Sequence, residues 1–278
     1  MNSNAQMAPE GGMRGADPSP GEEVVLRAQG VEKTYPNGTH ALDEVNLEVR
    51  RGEFVSLLGP SGCGKSTLLK MFAGIEQASS GEISAYAQGD ESMENPSHGM
   101  AMVFQEATLM PWSRVAGNVR LPLDLAGVPK SVSTPRVNEA LNLVGLEGFE
   151  NVYPRELSGG MQMRASIARA LAVQPKVFLM DEPFGALDEF TRNRLDADLL
   201  DLWRQRGFTV VFVTHSIYEA VFLSSRVVVM AARPGRIIAD IPIEGPEVRD
   251  EKFRVSKPFI EYCRVLSDHL ARANQGEC

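Results

Sequence analysis

Cysteine is scarce: Cys63, Cys263 and Cys278 are the only thiols in 278 residues. Three cannot build a dense disulfide framework, and their scatter gives no metal-ligand spacing. A reducing, intracellular compartment fits this usage. Long apolar runs are lacking too. The longest, such as 210–213 and 227–232, are strand-sized, well short of the ~20 residues of a membrane-spanning helix. No basic patch followed by an apolar stretch opens the chain, so no signal peptide is expected. Basic charge is in deficit: 28 Lys+Arg against 36 Asp+Glu leave a net charge of −8. That argues against electrostatic binding of nucleic acid, which needs a basic patch to displace counterions. What remains is a chain with 43% hydrophobic residues, enough for one large domain or two small ones. It is expected to be soluble or to meet a membrane through partners.

Residues 1–22 are rich in Gly, Pro, Ser and Asn without periodicity, and read as a disordered tail. Alternation over 24–31 and 45–49 suggests half-buried strands, and the apolar run 54–58 a buried one. Residues 109–164 read as helical, with Pro111, Pro122, Pro129, Pro135 and Pro154 as breaks. Strands are expected at 177–180 and 209–214, separated by a helix over 190–206 that carries Leu195, Leu199, Leu200 and Trp203. That order indicates parallel βαβ topology. Two more strands, 226–230 and 236–243, flank a Pro234-Gly235 turn. Phe259, Tyr262, Cys263, Leu266 and Leu270 share one helical face near the C-terminus, as in a docking helix.

The densest motif is Gly59-Pro60-Ser61-Gly62-Cys63-Gly64-Lys65-Ser66, followed by Thr67. It matches G-x-x-x-x-G-K-[ST], directly after an apolar strand and before a helical run over 66–73. Glycines let consecutive backbone N–H groups turn inward around phosphate oxygens, and the helix N-terminus adds a positive dipole end. Lys65 is the residue to reach β- and γ-phosphates, and Ser66 the hydroxyl to complete a magnesium shell. From average residue usage, a chance match in a chain of this length arises about 1% of the time. Cys63 lies within the loop, near a helix N-terminus where a thiolate is favoured, so a bulky thiol reagent there is expected to block nucleotide binding.

A second apolar strand ends in two acids, Asp181 and Glu182. Open α/β sheets bind ligands at the carboxyl ends of their strands. Asp181 is thereby placed to hold magnesium through water, and Glu182 to orient and deprotonate an attacking water.

Further residues narrow the class. Leu157-Ser158-Gly159-Gly160 precedes a helical stretch, Gln105 follows a strand over 102–104, Asp188 closes Gly185-Ala186-Leu187-Asp188, His215 ends the strand 209–214, and Tyr35 lies upstream of the loop. This ordered set resembles the nucleotide-binding subunit of ABC transporters over residues 24–243. The resemblance implies an α/β P-loop NTPase fold with a RecA-like mixed-sheet core, an antiparallel β subdomain and an inserted α-helical signature subdomain. It divides the chain into the tail 1–22, an ATPase domain 23–247 with its helical subdomain at about 106–165, and a C-terminal helical extension 248–278.

By the same resemblance Tyr35 stacks on adenine, Gln105 contacts magnesium and the attacking water, His215 contacts the γ-phosphate, and Asp188 couples two active sites. Ser158, Gly159 and Gly160 bind the γ-phosphate of a nucleotide held by the opposite subunit. At the fifth signature position stands Met161, a departure from the common Gln, with Gln162 next. The implied cofactors are ATP and Mg2+. The implied partners are a second ATPase subunit, integral-membrane permease subunits, and a periplasmic or extracellular solute-binding protein acting through the permease, with no nucleic acid. The implied location is peripheral, on the cytoplasmic side of a bacterial inner membrane. Soluble ABC-type ATPases of DNA repair or translation are the alternative, but they carry tandem cassettes, long coiled coils or zinc hooks. The segments Leu109-Met110-Pro111-Trp112, Gly117-Asn118-Val119-Arg120-Leu121-Pro122 and Ala232-Arg233-Pro234-Gly235-Arg236-Ile237 resemble the nitrate/sulfonate/taurine importer group. They touch no solute, so the solute stays open.

Overall fold

The structure, a computed structural model, describes residues 23–85, 99–246 and 248–275. The expected tail 1–22 lies outside the described residues, as do the last three positions of the extension.

Alternating burial along β1 (Val24–Thr34) and β2 (His40–Arg50) lets them pair antiparallel, from Val24 opposite Arg50 to Thr34 opposite His40. β3 (Phe54–Leu58) is buried at all five positions and leads through the phosphate loop into α1 (Lys65–Phe72). β4 (Ser80–Ala85) then returns to pair with β1, giving a three-stranded sheet of order β2-β1-β4. No expectation covered β4. Its residues are exposed or half-buried, and Gly81 interrupts the pattern. Gly81 is demanded by packing: a Cβ there would lie 2.1 Å from the Gly30 carbonyl oxygen.

β5 (Met100–Val103) precedes three mutually packed helices, α2 (Val115–Leu125), α3 (Lys130–Leu143) and α4 (Gly159–Leu171). Pro129 caps α3 and Pro154 opens a 3-10 turn before α4, as breaks should. Pro122 and Pro135 depart from the expectation and lie inside α2 and α3. A proline inside a helix costs about 3 kcal/mol. Each buried aliphatic side chain contributes about 1.5–3 kcal/mol. Val115, Val119 and Leu123 of α2, and Val137, Ala140 and Leu141 of α3, face the core, so burial outweighs the lost backbone bond.

The chain continues through β6 (Val177–Asp181), α5 (Glu189–Arg206), β7 (Thr209–Thr214), α6 (Ile217–Leu223), β8 (Arg226–Ala231), β9 (Arg236–Pro242), α7 (Glu251–Arg254) and α8 (Lys257–Gln275). The six-stranded sheet has the order β5-β6-β7-β3-β8-β9. Five strands are parallel and β9 is antiparallel to β8. This is the expected mixed α/β sheet.

Period-two alternation sends side chains of one strand into two cores. Phe54, Leu58, Phe178, Met180, Val210 and Phe212 meet α2 to α6 on one face. Val55, Leu57, Val177, Leu179, Val211 and Val213 meet α1 and the antiparallel sheet on the other. The C-terminal stripe docks as expected: Phe259 and Leu266 are buried, with Tyr262, Cys263 and Leu270 packed beside them.

Candidate active site

Four parallel strands end along one edge of the main sheet, and each delivers a site residue at or just beyond its carboxyl end. β3 runs into Gly59, β5 into Gln105, β6 into Asp181 and Glu182, and β7 into His215.

The loop after β3 is held tightly. A Cβ on Gly59 would lie 2.4 Å from the Met230 carbonyl oxygen and 2.8 Å from Cys63 Sγ, so only glycine fits. Gly62 and Gly64 both have positive φ, and Gly64 caps α1 without a side-chain bond. The first amides of α1 are thus left to an incoming acceptor. Lys65, 4% exposed, donates from Nζ to the carbonyl oxygens of Gly59 (2.8 Å) and Pro60 (3.0 Å). Cys63 corrects the expectation of reactivity. Its thiol is fully buried, and burial pushes its pKa up despite the nearby Lys65 charge. The environment favours the inert thiol, and a bulky reagent has no route to it.

Ser66 donates to Asp181 Oδ1 at 2.7 Å, so the loop and the end of β6 meet directly. Burial raises the Asp181 pKa, opposed by the Ser66 bond and by Lys70. A hydroxyl and a desolvated carboxylate side by side are hard oxygen donors of the kind a magnesium ion takes.

Glu182 adopts a left-handed conformation, φ 45°. For a non-glycine residue that is strain of the kind that collects at functional sites. Its amide donates to the Val213 carbonyl, 3.0 Å, tying it to β7. Its Oε2 lies 3.2 Å from His215 Nδ1. Gln105 joins this group. A Cβ on Gly185 would lie 3.5 Å from the Glu182 carbonyl oxygen, 3.7 Å from His215 Cε1 and 3.8 Å from Gln105 Nε2. Tyr35 reaches the start of α1 through a 3.2 Å bond between its hydroxyl and Thr67 Oγ1.

The remaining residues form a second group. Ser158 caps α4, its Oγ accepting from the Met161 amide at 3.3 Å. Asp188 caps α5, accepting from the Thr191 amide (3.0 Å) and from Thr191 Oγ1 (2.7 Å). These bonds hold the Asp188 carboxyl below the usual carboxylate range. The two caps touch through small residues: a Cβ on Gly160 would lie 2.8 Å from Thr191 Cγ2. Gln162 turns inward, donating to the Pro154 and Leu157 carbonyl oxygens, so its amide braces the turn before α4. Among the described residues no hydrogen bond or ion pair joins Ser158, Gly159 or Gly160 to the phosphate loop.

Two supporting cations had no sequence signal. Arg169 of α4 donates to the Ala107 and Thr108 carbonyl oxygens and to Thr108 Oγ1, pinning the segment after Gln105 to the signature helix. Lys33, bonded to Glu76 and the Gln77 carbonyl oxygen, lies 5.0 Å from the Tyr35 ring centroid.

The ABC transporter family model matches residues 42–185. An ABC transporter ATP-binding protein of Methanocaldococcus jannaschii is 46% identical over 258 residues, covering 90% of this chain and 94% of that one. An aliphatic sulfonates import ATP-binding protein of Bacillus cereus is 46% identical over 217 residues, 77% of this chain and 84% of that one. Among solved structures, cbiO1 from Clostridium perfringens, part of the cbiONQ ABC transporter complex, superposes with TM-score 0.73 at 29% identity, over 89% of this chain and 99% of that one. A dimeric ATP-binding cassette in a post-hydrolysis state bound to ADP and Pi gives TM-score 0.67 at 33% identity, over 80% of this chain and 100% of that one. These relatives lend no support to the alternative of a soluble, non-transport ATPase.

Proposed function

We propose that this chain, which belongs to the ABC transporter family of ATP-binding subunits, powers a membrane importer for a sulfonate or a related small solute such as nitrate or taurine. The observation that carries the catalytic reading is the meeting of Lys65, Ser66, Asp181, Glu182 and His215 at the carboxyl ends of β3, β6 and β7. The sulfonate importer relative supports the transport class and the solute class.

The backbone amides of the phosphate loop and of the first turn of α1 receive the β- and γ-phosphates of ATP. Lys65 leaves its carbonyl partners to pair with phosphate oxygens, and the Tyr35 ring offers a face to adenine. Ser66, Asp181 and Gln105 would hold Mg2+, which when bound neutralises charge on the β- and γ-phosphate oxygens. Glu182 accepts the proton of the water that attacks the γ-phosphorus, and the bond to the ADP oxygen breaks. His215, already 3.2 Å from Glu182, orients the γ-phosphate and steadies the base.

Ser158, Gly159 and Gly160 are built as an anion site: a hydroxyl, small residues and a helix N-terminus. They serve the nucleotide of a second copy, so two chains close head to tail around two ATP molecules. Closure driven by ATP shifts permease subunits between two access states. The chain works as a peripheral subunit on the cytoplasmic face of a bacterial inner membrane, with a solute-binding protein acting through the permease.

The test is ATPase activity of the complex reconstituted with its permease and binding protein. An alkyl sulfonate, taurine or nitrate is expected to raise turnover only when the loaded binding protein is present. Stimulation by none of these, together with stimulation by an unrelated solute, would overturn the solute class.

A further inference from the structure

A charged cluster lies between α5, α6 and α7, and no step above uses it. Asp196 on α5 is fully buried and pairs with Arg254 of α7, Oδ2 to Nη2 at 3.2 Å. The Arg254 guanidinium carbon also stacks 3.6 Å from the Phe222 ring centroid. One helical turn before Asp196, Arg192 donates from Nη2 to the Leu187 carbonyl oxygen at 2.9 Å, next to Asp188. Its Nε lies 3.6 Å from Glu219 Oε1. Glu219, 7% exposed at its side chain, accepts from the Thr214 hydroxyl. That hydroxyl accepts in turn from the Ser216 amide at 2.9 Å. His215 is therefore bracketed on both sides by residues bound to the cluster.

The cluster is poorly explained as a stability device. Arg192 Nε, Asp196 Oδ1 and Arg254 Nε are buried without a hydrogen bond. Buried ion pairs that are only partly satisfied are commonly less stable than an apolar replacement. Burial and the Glu219 charge push the Asp196 pKa up, and the Arg254 charge and hydrogen bond pull it back, so Arg254 favours the ionised form there.

We propose that Arg254, in the C-terminal extension, is a positioning residue for His215 and for the Leu187–Asp188 segment, acting through Asp196, Arg192 and Glu219. The extension thereby sets the turnover rate and leaves ATP affinity alone. The arrangement allows this because Arg192 and Glu219 hold the two segments at once, and Arg254 neutralises the carboxylate beside them. This rests on the role given to His215 above.

The test is steady-state ATPase of the purified full-length chain across an ATP titration, with thermal unfolding followed in parallel. Arg254→Met keeps an unbranched side chain at this position and removes the guanidinium that pairs with Asp196 and covers the Phe222 ring. It is expected to lower kcat about tenfold with KM within twofold, the pattern of a lost transition-state interaction. Adding Asp196→Asn removes the carboxyl that has lost its Arg254 partner and is expected to recover most of kcat, a coupling that independent sites do not show. Glu219→Gln keeps an acceptor for Thr214 and removes the charge facing Arg192, so it should reproduce the kcat-only loss even if Arg254→Met folds poorly. A wild-type kcat in folded Arg254→Met or in Glu219→Gln overturns the proposal, as does a loss carried by KM. His215→Ala runs alongside. If it turns over normally, the role of His215 fails and the relay with it. If it is inactive while both other variants match wild type, the relay alone fails.

Discussion

The two halves of the site are built in opposite ways. The phosphate-loop half is wrapped in core: Lys65 and Cys63 are buried, and Gly59 lies against the backbone of β8. The signature half, Ser158, Gly159 and Asp188, is exposed and sits at helix caps. One half fixes chemistry inside the chain. The other offers backbone N–H groups and a hydroxyl outward, where a ligand brought by another copy can reach them. Changes in the first half should damage folding or chemistry in the chain that carries them. Changes in the second should damage only assembled sites.

The largest effect is expected for Glu182→Gln. It should lower turnover by at least the ~10²–10⁴-fold of a lost general base while ATP still binds, as read by equilibrium binding beside steady-state hydrolysis. Turnover within tenfold of wild type would move the base elsewhere.

Within the buried half, two glycines separate packing from conformation. Gly59→Ala places a methyl 2.4 Å from the Met230 carbonyl oxygen. It should destabilise by about 1–3 kcal/mol, typical of forced overpacking, seen as a lowered Tm. Gly62→Ala meets open space and suffers only its positive φ, an effect of about 1 kcal/mol. Equal losses at the two positions would mean that packing against β8 is not what holds the loop.

The smallest effect concerns Cys63. In the folded protein a bulky maleimide should leave it unmodified, and ATP affinity should not change. Modification should follow only on denaturation, read by mass spectrometry. Rapid native labelling of Cys63 would show that the loop opens far more than its burial suggests.

The same contrast explains what the sequence revealed. β3 and β7 were legible to the residue because every position is buried, so apolar residues dominate both, with Ser56 the one polar residue inside β3 and Thr209 and Thr214 at the ends of β7. β4 was not, since an exposed edge strand needs no apolar run and Gly81 answers a contact with Gly30, 51 positions away. Pro122 and Pro135 read as breaks because local propensity is visible in sequence, whereas the tertiary burial that overrides it is not. Lys65, Ser66, Asp181, Glu182 and His215 were legible because motif spacing places them at strand ends. Arg169, Arg192 and Glu219 were not. A charged residue on a helix reads as solvated surface, and their partners lie off the helix, Thr108 61 positions from Arg169, Leu187 in the turn before α5 and Thr214 at the end of β7. Cys63 was misread because the favourable helix N-terminus was visible in sequence and its burial beneath Gly59 was not.

The central claim is that each ATP is hydrolysed in a site shared by two copies. Complementation tests it most directly. Lys65→Ala spoils the phosphate loop. Gly159→Asp puts a negative charge into the signature anion site, at a position where a Cβ meets only Leu187, at 3.7 Å. Each variant alone should be inactive. Mixed, half of the dimers pair unlike chains, and each of those carries one intact site, so activity should return toward about a quarter of wild type. A mixture as inactive as either variant alone, with mixed dimers shown to form, would contradict the shared site and place hydrolysis within a single chain.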